Sequence, residues 1–249
     1  MTTENRPEAA DEDISWGAYL TFPSADMVEF LGCYGFQWIF LDHQHGAFPP
    51  AFCRDLLRAV SLDDMECFVR IHKADEELIT QYLEAGVNGF FAPNISSAEQ
   101  ARAFTEAVAA VHSSSSRSRR MKYGFSQHLS NPLPEEPPAA TIALIESEAG
   151  INALEEILSV PGIEYAAIGT GDLRISMGIP PGKSDPRLTK IVGTFRARMK
   201  DHGVQEIAVV SNRQQAAAAI EAGVQRIAIP ETAMITAGAE RIVGRKLFE

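Results

Sequence analysis

The chain is poor in cysteine, with three in 249 residues: Cys33, Cys53 and Cys67. The count is odd and the spacing fits no metal-ligand pattern, so neither a disulfide framework nor a cysteine-held zinc is indicated. The three read as small apolar residues in a reducing compartment, and a cytoplasmic protein is expected. Long apolar runs are missing as well; none approaches the roughly 18 residues of a membrane span. The opening segment MTTENRPEAADEDIS is acidic and has no apolar stretch, unlike a secretory signal. Residues 1–13 are expected to form a flexible acidic tail. Basic charge is scarce: 22 Lys and Arg stand against 33 Asp and Glu, for a net charge of −11. That argues against nucleic-acid and membrane-surface partners, both of which want basic patches. A small anionic substrate stays open, because local charge at a site can oppose the overall sign.

What the chain has is apolar substance, 45% of its residues, enough for a large core. Strand-like segments at 16–22, 38–42, 67–72, 89–94, 141–146, 165–169, 206–211 and 226–230 alternate with runs of helical period. In 98–111, for example, Ala98, Ala101, Phe104 or Thr105, Val108 and Val111 share one face. Ser96-x-x-Glu99 has capping-box spacing; Asp75 can cap a helix that Gly86 stops, and Asn212 one that Gly223 stops. Eight strand–helix units in a chain of this length predict an α/β protein, a single closed (β/α)8 TIM barrel over 14–249. One segment breaks the rhythm. Residues 112–138 are rich in Ser, Arg and Pro, an irregular insertion that reads as a lid or as disordered chain.

In such a barrel, chemistry gathers at the carboxyl ends of the strands. The polar residues there are Asp42, Gln44 and His45 after strand 2, Arg70 on strand 3, Asn94 after strand 4, Glu146 after strand 5 and Asp172 after strand 6. Two acids on neighbouring strand ends can hold one hard divalent cation with positions left for substrate. The plainer reading of Glu146 is a helix cap, of Asp172 a Gly-Asp turn, and of Arg70 a structural ion pair. An acid beside His45 would orient an imidazole as a general base. His43, His45 and Asp42 are too crowded, and too far from other ligands, to favour zinc. The loops after strands 7 and 8, Val210-Ser211-Asn212-Arg213 and Ile229-Pro230-Glu231-Thr232, hold no glycine, so a carboxylate substrate is expected rather than a phosphate.

Several stretches taken together resemble a known family. They are Gly35-Phe36-Gln37-Trp38-Ile39-Phe40-Leu41-Asp42-His43-Gln44-His45-Gly46, Val69-Arg70, Leu83-Glu84-Ala85-Gly86-Val87-Asn88-Gly89 running to Pro93, Ile145-Glu146-Ser147, and Ile168-Gly169-Thr170-Gly171-Asp172-Leu173 with Met177-Gly178. In this order they are similar to the metal-dependent class II aldolases of 2-oxo acids, which act on pyruvate and include 2-dehydro-3-deoxyglucarate aldolase and 4-hydroxy-2-oxoheptanedioate aldolase. The likeness spans residues 16–247. It implies a barrel that assembles as a homo-oligomer, trimer or hexamer. It also implies Glu146 and Asp172 as ligands of Mg2+, Mn2+ or Co2+, Arg70 on the oxo-acid oxygens, and His45 as base with Asp42 as its partner. The Gly171–Asp172 backbone would receive the substrate carboxylate.

The chain departs from the family pattern in four places. Gln44 replaces an acid, Arg174 follows Asp172-Leu173 where serine is usual, and Pro230-Glu231 replaces a glycine and aspartate. The Arg-Gly segment after strand 4 gives way to the Ser/Arg run, where Arg119 or Arg120 could match. Gln44 and Arg174 therefore join the substrate-facing set. The expected activity is a lyase that forms the enolate of pyruvate or a related 2-oxo acid and joins it to, or releases it from, an aldehyde. The alternatives are an oxaloacetate-type decarboxylase or other decarboxylative carbon–carbon chemistry on the same site, and an inactive barrel serving as a binding or assembly subunit.

Overall fold

Strands buried on both faces are apolar at nearly every position, and two segments illustrate it. Trp38–Asp42 (β2) and Ala140–Ile145 (β5) are buried along their whole length. The computed structural model describes residues 13–46, 48–62, 64–114, 138–180 and 185–246. The remaining strands are Ser15–Leu20 (β1), Glu66–Arg70 (β3), Gly89–Ala92 (β4), Ile163–Ile168 (β6), Gln205–Val209 (β7) and Arg226–Pro230 (β8). Each pairs in parallel with the next, and β1 pairs with β8, closing the expected (β/α)8 barrel.

Helices follow the strands: Ala25–Cys33 (α1), Pro50–Leu62 (α2), Glu76–Ala85 (α3), Ala98–Ser114 (α4), Glu148–Asn152 (α5), Leu154–Leu158 (α6), Thr170–Ser176 (α7), Pro186–His202 (α8), Arg213–Glu221 (α9) and Glu231–Val243 (α10). None of the described helices is long and apolar enough to cross a membrane.

Pairing register fixes which side chains face the axis. Tyr19 lies opposite Phe40, Phe40 opposite Phe68, and Asp42 opposite Arg70, so each set shares one face. The axis is filled by aromatic rings: Phe40 stacks on Phe91 with centroids 3.9 Å apart, and Tyr19 stacks on Phe40 at 4.7 Å. Each fully buried ring of this kind contributes about 2–3 kcal/mol of transfer free energy. At the amino end of the strands Arg226 lies over Trp38, Phe68 and Tyr165 and pairs with Glu66, closing the floor. The second core, between barrel and helices, holds Ile39, Leu41, Val69, Ile79, Leu83 and their neighbours. Function is thereby confined to the opposite, open end.

Asp75 caps α3 and Gly86 ends it with φ 112°; Asn212 caps α9, with Gly223 two residues past the helix end at φ 85°. The capping box expected at Ser96 and Glu99 sits one residue later: Ser97 Oγ accepts from Gln100 N at 3.2 Å, and Gln100 Oε1 accepts from Ser96 N at 2.9 Å. Glu146 does not cap a helix, because Ser147 does, accepting from Gly150 N. Several strands end one or two residues earlier than expected, since Thr21, Ile71 and Asn94 have already left the ladder. Helix α4 runs to Ser114, so the start of the segment expected to be irregular is helical. The rest of it, with Arg119 and Arg120, and residues 1–12 of the expected tail lie outside the described residues.

Candidate active site

At the carboxyl end of β2 and β3 an acid and a base meet inside the barrel. Asp42 is fully buried and Arg70 nearly so, 7% exposed. The guanidinium engages the carboxylate with two donors, Nε to Oδ1 at 3.0 Å and Nη2 to Oδ2 at 2.5 Å. Tyr19 completes the group: its hydroxyl donates to Asp42 Oδ2 at 2.7 Å and accepts from Arg70 Nη2 at 3.0 Å. Burial pushes the Asp42 carboxyl up, but the hydrogen bonds from Arg70 and Tyr19 outweigh it and hold the group below the usual carboxylate range. Burial, reinforced by the bond to Asp42, pushes the Tyr19 phenol far up, so it stays a donor.

The folded chain therefore binds Asp42's proton less readily than the unfolded chain. The stability it contributes is complete above about pH 4, the ordinary aspartate value, and is lost as pH falls through the depressed folded value. Melting temperature should drop on acidification below about pH 4. In Asp42→Asn this Asp42-linked part of the drop should disappear, a comparison that melts across pH 3–6 would test.

Glu146 stands just past β5, 8% exposed. Its Oε1 faces Arg70 Nη1 at 3.6 Å and its Oε2 accepts from Asn94 N at 3.0 Å, where Asn94 turns with φ 48°. Burial raises its pKa, and the nearby negative charge of Asp172 raises it further against the pull of Arg70 and His45. The first residue after β6 must be glycine: a Cβ on Gly169 would come 2.6 Å from Glu146 Cγ and 2.7 Å from its Oε1. Gly169→Ala should therefore displace the Glu146 carboxylate, lowering metal affinity at least about tenfold with a small change in melting temperature. Calorimetric titration with Mg2+ or Mn2+ measures it. Asp172 sits exposed in the first turn of α7, and above Gly171 a side chain would meet nothing within 4 Å.

The turn after β2 folds back on Asp42. Its Oδ1 accepts from Gln44 N at 3.0 Å and His45 N at 3.2 Å. Among the described residues no hydrogen bond joins the Asp42 carboxylate to the His45 ring; the acid holds the histidine through its backbone. The imidazole is exposed, and its charge is felt at Glu146. His43 takes another direction, its Nδ1 against Phe48 O at 2.9 Å and the Tyr82 hydroxyl at 2.7 Å. No group of three or more His, Cys, Asp or Glu placed to hold a metal occurs among the described residues. Gln44 Oε1 is buried without a partner there. Arg174 donates through Nη2 to Pro180 O at 2.6 Å, at the far end of α7, and its charge is felt at Asp185.

A family model described as HpcH/HpaI aldolase/citrate lyase matches residues 16–231. The chain belongs to that family. It is 29% identical over 217 residues to a hydroxypyruvate/pyruvate aldolase of Sagittula stellata, covering 86% of this chain and 85% of that one. A 2-dehydro-3,6-dideoxy-6-sulfogluconate aldolase of Pseudomonas putida is 30% identical over 201 residues, covering 76% and 74%. Among solved structures, an HpcH/HpaI aldolase/citrate lyase family protein of Burkholderia cenocepacia superposes with a TM-score of 0.80 at 20% identity, over 93% of this chain and 94% of that one. Family and relatives make this chain a carbon–carbon lyase of the 2-oxo-acid aldolase kind.

Divalent-metal dependence is general in the HpcH/HpaI family, and the mouth fits such an ion. Glu146 and Asp172 lie close enough that one charge raises the pKa of the other. Arg70, which faces Glu146, is already paired with Asp42. A hard cation such as Mg2+ takes one or two carboxylates and fills its other positions with water and substrate oxygens, so a two-acid set suffices.

The sequence reading missed Tyr19. The alternation that turns Gly17 and Phe40 inward also turns Tyr19 inward, and a phenol on that face needs a polar partner. That signal was available in β1 once its face was assigned.

Proposed function

We propose that the chain is a divalent-metal-dependent aldolase that forms the enolate of pyruvate, or of hydroxypyruvate as the name of the Sagittula relative suggests, and adds it to or releases it from an aldehyde. The reading rests on one observation: an arginine nearly buried between two carboxylates, Asp42 and Glu146, so that an anionic acid entering the mouth calls for added positive charge. Glu146 and Asp172 would hold Mg2+, Mn2+ or Co2+; the ion, when bound, supplies the charge that draws in the oxo acid and favours its enolate.

The chain's own residues do the rest. Arg70 is fixed by Asp42 and Tyr19, which leaves Nη1, on the Glu146 side, to meet the developing enolate oxygen. The first-turn amides of α7, at Gly171 and Asp172, have no intrahelical acceptor and are offered to the substrate carboxylate. His45, exposed and held by its backbone, takes a proton from the methyl group. The enolate carbon then attacks the aldehyde carbonyl, and the alkoxide formed takes up a proton; cleavage runs the same steps in reverse. Gln44 Oε1, short of a donor, and Arg174 are assigned to the acceptor side.

A homo-oligomer, trimer or hexamer, is part of this reading. Phe30 on α1 and Tyr34 just past its end, with ring centroids 4.7 Å apart and 58% and 73% exposed, are suited to a subunit contact. The three cysteines are free, in keeping with a reducing cytoplasm.

His45→Ala should slow exchange of the pyruvate methyl protons with D2O by at least about a hundredfold, followed by proton NMR. Exchange at the wild-type rate would remove His45 from the proton transfer.

A further inference from the structure

The first residue of α10 is an acid that its own helix does not use. Glu231 is 1% exposed and has no hydrogen bond to the first-turn amides of α10 among the described residues. Instead its Oε1 reaches across the barrel seam to the end of β1, accepting from Thr21 N at 2.9 Å and from the Thr21 hydroxyl in a short contact. The other oxygen, Oε2, is buried and has no partner among the described residues. A buried carboxylate with one oxygen unsatisfied is costly. Its retention points to a task beyond closing the barrel, since the β1–β8 ladder is already paired from Ser15 to Tyr19.

One contact leads from Glu231 to the candidate site. It runs through Thr21: its carbonyl lies 2.6 Å from where a Cβ on Gly46 would stand, so the turn carrying Gln44 and His45 is seated directly on the residue that Glu231 holds.

We propose that Glu231 is a positioning residue for the aldol reaction. By clamping Thr21 it sets the height of the His45 turn over the Asp42–Arg70 pair. It touches neither substrate nor metal. The inference rests on the proposed role of His45, and it predicts a split: the proton step depends on Glu231, whereas pyruvate binding, which belongs to Arg70, hardly does.

The test uses the full chain with Mg2+ and pyruvate in D2O, reading the maximal methyl-exchange rate and the KM for pyruvate. Glu231→Met, which removes the acceptor, and Thr21→Val should each lower the maximal rate at least about tenfold and move KM less than about threefold. Because both act through one contact, the double variant should be no slower than the slower single variant. Thr21→Ser, which keeps the hydroxyl, should run at the wild-type rate. If Glu231→Met melts too low to assay, the contrast between Thr21→Val and Thr21→Ser decides alone. A wild-type rate in Glu231→Met or Thr21→Val, multiplying effects in the double variant, or a loss seen only as raised KM would each overturn the assignment. No exchange in the wild-type chain would sink the reading of the whole site, a result distinct from any of these.

Discussion

Arg70→Ala is expected to abolish detectable pyruvate binding and to lower the melting temperature by roughly 10 °C. Both effects come from one side chain. The guanidinium carries the positive charge that faces Asp42 and Glu146 at the mouth, so without it those two acids confront an incoming carboxylic acid with no guanidinium to offset them. Its loss also leaves Asp42, fully buried, with Tyr19 and two backbone amides but no cation. Removing one partner of a buried pair costs about 3–5 kcal/mol, and for a chain of this size each kcal/mol moves the midpoint by about 2–4 °C.

Arg70→Lys separates the two effects. It restores a charge but not the two-donor fork, so it should recover part of the stability and little of the binding. Calorimetry with pyruvate and Mg2+, beside thermal melts, makes the comparison. Wild-type pyruvate affinity in Arg70→Ala would reduce the arginine to a structural ion pair, the plainer of the two readings its sequence allows.

The second large effect belongs to Glu146. Glu146→Gln keeps the shape that fits over Gly169, and the amide oxygen can still accept from Asn94 N. What it removes is the charge. A hard divalent ion would then have Asp172 alone, and turnover with Mg2+ should fall by about a thousandfold or more, the size of effect expected when a group acting on transition-state charge is lost. Folding should hold, since the variant relieves a buried acid whose pKa burial has raised. Apo-state melting at neutral pH should therefore be unchanged or slightly higher. A parallel fall in melting temperature and activity would mean that the residue matters to the fold and not to an ion.

The barrel was readable because its signals are local. Apolar runs of five or six residues between capped helices, with Asp75, Asn212 and Gly86 at their ends, need no knowledge of partners. Strand ends were less readable: hydrophobicity persists for a residue or two after the ladder stops, as at Ile71. The site divides along the same line. Asp42, Arg70, Glu146 and Asp172 stand out in the sequence because a charge at the end of an apolar run has to be explained.

What joins them is not in the spacing. Asp42 and Arg70 pair across 28 positions only through the register of β2 on β3, and Glu231 meets Thr21 across 210. Closeness in sequence even pointed to the wrong atoms. His45 stands three positions after Asp42, which suggested a carboxylate–imidazole contact, yet the turn delivers the His45 amide to that carboxylate and turns the ring outward.

The most direct test of the account is methyl-proton exchange of pyruvate in D2O, measured on the metal-stripped chain and again after adding Mg2+ or Mn2+. Exchange should sit at the buffer background when stripped, return with the ion in the wild-type chain, and stay at background in Glu146→Gln. Equal exchange in the stripped and loaded wild-type chain, or full exchange in Glu146→Gln, would contradict a metal held by that acid and assisting enolate formation beside Arg70.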